Sequence, residues 1–596
     1  MKKTAKRIIS MLLSLSMVLA LAACGSGGGQ PGNSNPPANN DNNTPSSSAP
    51  AESNAPAPAA SGEPQYGGNL TVYFQEFYND YDPSVADMRN YCLWFEPLFG
   101  IDWSREDTGE VFTSEYLTME WMTGQIAESY TFENGDLTVK LREDVFFQDK
   151  EPYNGRQCVA GDVKWTYDRL LGTGSGFDTP YECMQPWSDL LNMVTSIDTD
   201  GDYTVIFHFN TDSELALNSF MTTQVNIAGH EWDELTPEQK SDWHYAAGTG
   251  PYILDEYVPD SYMKFVKNEN YYDYDERYPE NKLPYLDSIT CQLMADSTGT
   301  QTQFMAGNLD VIAWGGNVLT KTEAELLENT MAPGTFTRYD FVSAPPAVGL
   351  KLTHPALADI NVRKALQMAV NSQEIYQEYF GYGDRDLNMP GVWALVTQYS
   401  SVDSWSQELK DSYTKCDVEG AKALLAEAGY PDGFAFDVVI FGALDADLFT
   451  LVASYLQKIG VTMNVSVATS PMEMQQQGKD LSNEISIFVS GGQSRISAIQ
   501  AYFTPNGREN STNINDPEMT RMVEEFLSAT TMEDAERIGK EMDEYWAGQH
   551  YCLYLGGAEV ISTFVSGRVG GYSGERLWKN WNANQILPRI WVTDGK

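Results

Sequence analysis

Few residues in this sequence are spaced for catalysis or for metal binding. The chain has five histidines in 596 residues, and they form neither a His-Glu-x-x-His motif nor a close pair that could hold zinc. A Gly-x-Ser-x-Gly nucleophile elbow and a Gly-x-x-x-x-Gly-Lys phosphate loop are also absent from the sequence. The run Gly172-Thr173-Gly174-Ser175-Gly176 comes nearest to a nucleotide-binding loop, but Phe177 follows, and a loop between helices fits it better. The sequence therefore predicts no enzyme, no metal site and no cofactor.

Calcium binding is a second chemistry to consider, at residues 198–202. Asp198, Asp200 and Asp202 alternate in the manner of a calcium loop. However, Gly201 stands at the fourth loop position instead of the sixth, and Phe209 occupies the position of the bidentate glutamate. We predict a turn there, followed by a strand over residues 203–209.

The charge balance restricts the possible partners. Asp and Glu number 83 against 38 Lys and Arg, which gives a formal net charge of -45. A chain this acidic is repelled by polyphosphate and by anionic lipid surfaces. With 42% hydrophobic and 20% charged residues, it has the composition of an ordinary folded protein, and its length fits about three or four domain-sized units. We expect no nucleic-acid partner.

The N-terminus predicts export. Basic residues at positions 2, 3, 6 and 7 precede an apolar run over 8–22 that is too short to cross a bilayer comfortably. The following Leu21-Ala22-Ala23-Cys24 resembles the lipobox of bacterial lipoproteins, whose cysteine receives a diacylglyceryl group after cleavage. We expect a signal peptide over 1–23 and lipid attachment at Cys24, with a plain signal peptide as the alternative.

Residues 24–65 contain the lipidated cysteine and a stretch of Gly, Pro, Ser, Asn and Ala. Such a composition cannot bury a core, so it predicts a disordered tether. Six cysteines follow Cys24, namely Cys92, Cys158, Cys183, Cys291, Cys416 and Cys552. Six cysteines allow fifteen pairings, and the wide spacings select none of them. Buried free thiols and one or two disulfide bonds both remain open.

The rest of the chain mixes strands and helices. We predict a strand over 68–74, and a second strand over 136–141 from its period-two pattern. In the C-terminal half, Asp417 can cap a helix that ends at Gly429, and strand 434–441, helix 448–459 and strand 461–467 follow. A strand, a helix and a strand within this short span form a βαβ unit, which implies a parallel sheet covered by helices.

Five segments resemble one family, the family 5 extracellular solute-binding proteins of ABC importers of the peptide, nickel and oligosaccharide type. They occur in the family's order and include Leu141-Arg142-Glu143-Asp144-Val145 with Ala160-Gly161-Asp162-Val163, Gly248-Thr249-Gly250-Pro251-Tyr252, Ala306-Gly307-Asn308-Leu309-Asp310, Val362-Arg363-Lys364-Ala365-Leu366 and Leu424-Leu425-Ala426-Glu427-Ala428-Gly429. For these segments we expect structural roles, such as a turn at Gly248 to Pro251 and a salt bridge from Arg363 to a helix terminus.

The resemblance implies an α/β fold of two lobes joined by a hinge, with an extra subdomain on the first lobe. The first lobe would contain residues 66–100, 195–340 and 555–596, and the subdomain residues 101–194. The second lobe would contain residues 341–554. A solute would bind between the lobes, at the carboxyl ends of their strands, and the hinge would close over it.

Ligand contacts are expected from less patterned positions. The candidates are Phe77 and Tyr78 after the first strand, Trp314 with Gly315 and Gly316, Trp393 in a Pro/Gly loop, and the run Gly491, Gly492, Gln493, Ser494 and Arg495. In peptide-binding relatives, the segment resembling 488–495 commonly carries an Asp that accepts the peptide amino terminus. Here the segment has no carboxylate.

The resemblance thus implies a lipid-anchored receptor on the outer face of the bacterial cell membrane, on the periplasmic side if the cell has an outer membrane. Its partners would be a small solute and the permease and ATPase subunits of an importer. An oligopeptide is the expected cargo and an oligosaccharide is the rival, because several tryptophans suit sugar faces. An exported enzyme on the same fold, or an adhesin or signalling receptor without transport, are alternatives of other classes.

Overall fold

The computed structural model describes residues 62–74, 81–84, 93–105, 119–181, 193–222, 225–294, 297–312, 319, 321–342, 346–379, 405–441, 446–469, 471–480, 482–490, 504–505, 507, 510–555, 560–574 and 583–593. The chain divides into two units, Met1–Ala55 and Pro56–Lys596, and every described residue belongs to the second. Within the described ranges, no helix is both long enough and apolar enough to cross a bilayer. The predicted signal peptide and Cys24 lie outside these ranges.

The strands of the described residues are β1 (Asn69–Phe74), β2 (Phe99–Ile101), β3 (Met122–Gly124), β4 (Ala127–Glu133), β5 (Asp136–Leu141), β6 (Val194–Thr199), β7 (Thr204–Phe209), β8 (Tyr252–Val258), β9 (Tyr262–Lys267), β10 (Tyr274–Asp275), β11 (Tyr278–Lys282), β12 (Ser288–Leu293), β13 (Val311–Ile312), β14 (Phe336–Val342), β15 (Pro346–Gly349), β16 (Ala435–Phe441), β17 (Thr462–Ala468), β18 (Ser486–Ser490), β19 (Cys552–Tyr554), β20 (Val560–Ser566), β21 (Val569–Gly570) and β22 (Trp591–Val592).

The α-helices of eight or more residues are α1 (Ala160–Leu171), α2 (Glu214–Thr222), α3 (Ser297–Met305), α4 (Lys321–Thr330), α5 (Ile360–Ala369), α6 (Gln407–Thr414), α7 (Val418–Glu427), α8 (Ala446–Gln457), α9 (Pro471–Lys479), α10 (Pro517–Leu527) and α11 (Met532–Gln549). Shorter helical segments are Met119–Trp121, Glu231–Glu234, Pro237–Lys240, Trp243–Tyr245, Ser372–Glu374, Ile375–Tyr379, Ala583–Ile586 and Leu587–Arg589.

Two sheets form the centre of the first lobe. One has the order β1-β12-β9-β8, in which β1 and β12 are parallel and the other pairs antiparallel. The other sheet has the order β13-β20-β14 and is antiparallel. In β1, buried Leu70 and Val72 alternate with half-buried Asn69 and Thr71, so the strand's period-two pattern places one face in the core.

A separate antiparallel sheet, with the order β4-β5-β7-β6, packs against helix α1. Leu137, Val139 and Phe207 of the strands share a core with Val163 and Tyr167 of the helix. Strands β6 and β7 extend this sheet beyond residue 194.

The second lobe is built on a five-stranded sheet with the order β17-β16-β18-β15-β19. Strands β17, β16 and β18 are parallel, while β15 is antiparallel to both of its neighbours. Side chains of β16, which include Phe436, Val438 and Ile440, share a core with Leu366 of α5 and Val452 of α8. Helices thus cover the parallel part of the sheet, as the βαβ pattern predicts.

The chain passes between the two lobes twice, once from β14 to β15 and once from β19 to β20. After the second passage, the C-terminal residues Ile590, Trp591 and Val592 join the core that contains Leu70 and Val72 of β1. This topology is the α/β fold of two lobes with a hinge that the family resemblance implies.

Several elements predicted from the sequence form nearly as expected. Strand 136–141 matches β5, and the strand at 203–209 after the acidic turn matches β7. The helix after Asp417 is α7, and the Asp417 carboxylate accepts a hydrogen bond from Gly420 N at 2.8 Å. Strands β16 and β17 are parallel and connected by α8, which confirms the βαβ unit.

The turn predicted at Gly248 to Pro251 directly precedes β8, and its glycines are required by close packing. A Cβ atom at Gly248 would lie 2.1 Å from the carbonyl oxygen of Trp94, and a Cβ at Gly250 would lie 2.6 Å from that of Leu93. Any larger residue would push the segment at Trp94 away from the sheet.

Four cysteines belong to the described residues, and all four are free thiols. Cys158, Cys291 and Cys552 are buried, whereas Cys416 is exposed. Burial raises the pKa of the Cys552 thiol to about 12, as expected for an apolar site. Cys92 and Cys183 lie outside the described residues.

Candidate functional site

The carboxyl ends of the parallel strands define where a solute can bind. In the first lobe, the parallel strands β1 and β12 end together at Phe74 and Leu293. Strand β13, which belongs to the antiparallel sheet, ends at Ile312. In the second lobe, β16, β17 and β18 run in the same direction and end at Phe441, Ala468 and Ser490. Ligands of open α/β sheets bind in the crevice outside such ends.

Three of the predicted contact segments begin within three residues of the ends of β1, β13 and β18. Phe77 and Tyr78 follow β1, Trp314 follows β13, and the run Gly491, Gly492, Gln493, Ser494 and Arg495 follows β18. All of these residues, together with Trp393, Gly315 and Gly316, lie outside the described residues. The structure thus describes the strands that lead into the predicted site but not the contact residues themselves.

Asp310, in the segment before β13, ties the two sheets of the first lobe together. Its Oδ2 accepts a hydrogen bond from Thr71 N at 2.8 Å, and its own amide donates to Thr71 O at 2.8 Å. Arg568 donates to both of its carboxylate oxygens, at 2.6 and 2.7 Å, and to Asn69 O at 2.7 Å. Asp310 therefore sets the position of β13 against β1, and with it the starting points of two predicted contact segments.

A buried carboxyl group that the sequence analysis missed lies beside the Gly248 to Pro251 turn. Glu96 is fully buried, and its Oε1 accepts hydrogen bonds from Gln125 at 2.8 Å, Tyr271 at 2.7 Å and Tyr272 at 3.2 Å. Burial raises the pKa of Glu96 to about 7, against the lowering effect of the hydrogen bonds from Tyr271 and Gln125. The flanking aromatic residues Trp94 and Phe95 were the available sequence signal for this burial.

Two buried oxygen atoms at this position, Oε2 of Glu96 and Oγ1 of Thr249, make no hydrogen bond of good geometry. The side chain of Thr249 nevertheless lies close enough to Glu96 to lower the pKa of its carboxyl group. The network continues to the C-terminal residues, because Gln585 donates to Gln125 Oε1 at 2.8 Å and Asn584 donates to Phe95 O at 3.0 Å. Glu96 thus lies where the subdomain, the first lobe and the C-terminal segment meet, and its contacts are with the protein itself.

One group of side chains in the described residues has ligand atoms close enough for a metal ion, namely Asp162, His230 and Glu231. Arg156 already occupies this position. Its guanidinium donates to both oxygens of Asp162, at 2.8 and 2.7 Å, and to Glu231 Oε2 at 2.6 Å. Because a fixed cation already pairs with both carboxylates, a second cation would be repelled. The arrangement supports a structural ion-pair network.

A polar groove of about 780 Å³ lies on the solvent side of the β1-β12-β9-β8 sheet. Its lining includes Asn69, Tyr262, Lys264, Thr290 and Gln292. Thr290 and Ser288 both donate to Asn69 Oδ1, at 3.0 and 2.8 Å. Some of the polar groups that line the groove are therefore hydrogen-bonded to one another.

The strand ends and the two passages between the lobes define a two-lobed α/β binding protein. Comparison with known proteins specifies the class further, because residues 122–513, about two thirds of the 596, match "Bacterial extracellular solute-binding proteins, family 5 Middle". The chain belongs to this family.

The relatives are distant in sequence. The chain is similar to "Heme-binding protein A" of Haemophilus influenzae, with 24% identity over 448 residues, which cover 70% of this chain and 75% of that protein. It is also similar to "Oligopeptide-binding protein AppA" of Bacillus subtilis, with 23% identity over 445 residues, 68% of this chain and 70% of that protein. Among solved structures, the periplasmic binding protein DppA from Helicobacter pylori, in complex with peptide STSA, matches with a TM-score of 0.67 and 17% identity. That match covers 89% of this chain and 98% of DppA, and it supports the two-lobed fold.

Proposed function

We propose that this protein captures an oligopeptide outside the cell and delivers it to the permease of an ABC importer. The observation that carries the proposal is that two proteins named or solved as peptide binders, AppA and DppA, match most of this chain. The two-lobed fold supports it, because lobes that close around a solute can bury a peptide of any sequence through its backbone groups.

The proposed contacts are those that follow the strand ends: Phe77, Tyr78, Trp314, Trp393 and the run from Gly491 to Arg495. Aromatic side chains supply apolar area, while Gln493 and Ser494 supply hydrogen bonds to backbone groups. Trp314→Ala and Trp393→Ala should each weaken peptide binding. Trp243→Ala is the matched control, because Trp243 stacks on His244 in the short helical segment before β8 and belongs to none of the predicted contact segments.

The proposed domain division follows the sheets. The second lobe would contain residues 341–554, and the first lobe would combine residues 66–100 with the later segments to 340 and with 555–596. We place the end of the subdomain near residue 209 instead of 194, because β6 and β7 pair with β4 and β5 in one sheet. Limited proteolysis should give fragments that end near these boundaries.

We also propose that Cys24 carries the lipid anchor and that residues 24–65 form the tether. The proposal is based on three features that occur in this order at the N-terminus: a basic flank, an apolar run and the sequence Leu21-Ala22-Ala23-Cys24. Cys24→Ala should move the protein from the detergent phase to the aqueous phase in phase separation. A variant that partitions as the native protein does would contradict the proposal.

Native mass spectrometry of the purified full chain tests the cargo directly. Peptides released on denaturation, with calorimetric binding of Ala-Ala-Ala, would support the proposal. Release of a sugar or a porphyrin would contradict the peptide assignment and would identify another class of solute as the cargo. A released ligand that is chemically altered during incubation with the protein would instead indicate an enzyme and would contradict the proposed role in binding without catalysis.

A further inference from the structure

Helix α2 packs into two hydrophobic cores at once. Ala216, Leu217 and Phe220 belong to the core of the first lobe and its subdomain. Leu215, at the start of the same helix, instead belongs to a core of the second lobe that includes Met519 and Phe526 of α10. Leu215 is only 2% exposed.

Hydrogen bonds surround this leucine and connect the same two regions. Glu214 N donates to Thr530 O at 3.1 Å, and the hydroxyl of buried Ser213 donates to Ala529 O. In the opposite direction, Met532 N donates to Glu214 Oε2 at 3.1 Å. Because Met532 is the first residue of α11, the Glu214 carboxylate of one lobe caps a helix of the other, where the helix dipole favours a negative charge.

This contact is separate from the two hinge passages, β14 to β15 and β19 to β20. A rotation of the lobes about those passages would either carry α2 along with the second lobe or pull Leu215 out of its core. Extracting a buried leucine from its core is unfavourable, so the contact restricts which lobe orientations the protein can adopt.

We propose that Ser213, Glu214 and Leu215 form a third joint between the lobes, which positions them for capture of the solute. Without this joint, the ligand-free lobes sample a wider range of orientations, and a smaller fraction of molecules has the lobes arranged for binding. The apparent affinity falls by that fraction. The affinity part of this inference rests on the proposed function, whereas the effect on lobe orientation does not.

Leu217 provides a matched control for Leu215. Both are leucines on α2, and both are at least nine-tenths buried, but Leu217 lies wholly in the core of the first lobe. Leu217→Ala should lower Tm as any large-to-small core substitution does, without changing how the lobes are connected.

The test measures small-angle scattering of the ligand-free full chain, together with calorimetry using Ala-Ala-Ala. Leu215→Ala should enlarge the radius of gyration and weaken Ala-Ala-Ala binding by about fivefold or more. Leu217→Ala should leave both quantities unchanged. Glu214→Ala, at an exposed position with little risk to folding, should shift both in the same direction as Leu215→Ala but by less.

The two proposals fail in different ways. If the native protein does not bind Ala-Ala-Ala, the peptide assignment is in question, while the ligand-free radii still decide the joint. If neither Leu215→Ala nor Glu214→Ala changes the radius of gyration relative to Leu217→Ala, the contact is ordinary packing and the joint is overturned. If Leu215→Ala does not fold, the radius of gyration of Glu214→Ala is compared with that of Leu217→Ala instead.

Discussion

Asp310, Arg363 and Asp162 each lie in a segment that resembles the family, and each contacts the protein itself. Asp310 ties β1 to β13, and Asp162 accepts two hydrogen bonds from Arg156. Arg363 is buried and donates to the carbonyl oxygen of Gln549, the last residue of α11, at 3.0 Å. The expected salt bridge at a helix terminus is thus replaced by hydrogen bonds to carbonyl oxygens. At the level of single residues, the family-like segments stabilise the fold.

Glu96 should make the stability of the protein depend on pH. Its pKa is about 7 in the folded protein and 4.5 in its unperturbed form. Because the folded protein holds this proton more tightly than the unfolded chain, stability falls as the pH rises from 4.5 through about 7. The pKa difference corresponds to about 3 kcal/mol at most. A proton on Oε2 would have an acceptor in Thr249 Oγ1, because the side chain of Thr249 lies beside this carboxyl group.

Glu96→Gln separates this effect from other titrations, because an amide retains donor and acceptor groups but does not ionise. The native protein should lose more Tm between about pH 5 and pH 8 than the variant does. Neighbouring titratable groups are Asp273, Cys158, Tyr271 and Tyr272, and they are present in both proteins. Equal losses of Tm in the two proteins would show that Glu96 is not the group that titrates.

The segment after β18 predicts how weakly or strongly the site binds the amino terminus of a peptide. No carboxylate lies between Phe488 and Arg495, so this segment cannot neutralise a buried ammonium group, which would cost several kcal/mol if left unpaired. We predict that free-amino peptides such as Ala-Ala-Ala bind poorly, and that N-acetylation changes the affinity measured by calorimetry only slightly. Strong binding of the free form that is lost on acetylation would place an amine-binding acid elsewhere in the site.

At the scale of helices and strands, Asp516 connects two helices of the second lobe. Its Oδ1 accepts from Glu518 N at 2.9 Å and so caps α10. Its Oδ2 accepts from the hydroxyls of Tyr545 at 2.8 Å and Tyr551 at 2.7 Å, which lie in and just after α11. Asp516→Ala should destabilise the second lobe by about 2 to 3 kcal/mol, as a lost cap plus two lost hydrogen bonds.

Asp417→Ala is the control for this prediction. Asp417 caps α7 through one hydrogen bond to Gly420 N, so its removal should cost about 1 kcal/mol. Calorimetric unfolding of both variants measures the difference. If the two substitutions lower Tm equally, the tyrosine hydroxyls contribute nothing beyond the cap.

The sequence predicted those helices and strands whose signals lie within a few neighbouring residues. The strand at 136–141 and the helix after Asp417 depend on alternation and on a cap, and both appear as β5 and α7. The order β17-β16-β18-β15-β19 depends instead on pairings between distant segments, such as Val348 of β15 with Leu553 of β19. No local pattern encodes such a pairing, and the sequence did not predict it.

The same distinction holds for the site. The proposed position of the site after the strand ends is inferred from topology, whereas the burial of Glu96 and the insertion of Leu215 into the second lobe depend on tertiary packing. Leu215 and Leu217 are indistinguishable in the sequence pattern of α2, yet they belong to different cores. Which residues connect the lobes therefore required the structure.

At the scale of the whole molecule, the two lobes should close on the solute. Two passages between the lobes allow rotation, and closure around a ligand buries surface from both sides. With Ala-Ala-Ala at about 100 times its Kd, binding stabilises the native state by about 2.7 kcal/mol, which raises Tm by about 2 °C in a protein of this size. Closure should also reduce the radius of gyration in small-angle scattering. Trp393→Ala should lessen both the rise in Tm and the fall in the radius of gyration, whereas Trp243→Ala should lessen neither. If the radius of gyration of the native protein stays constant at saturation, the lobes bind the ligand without closing.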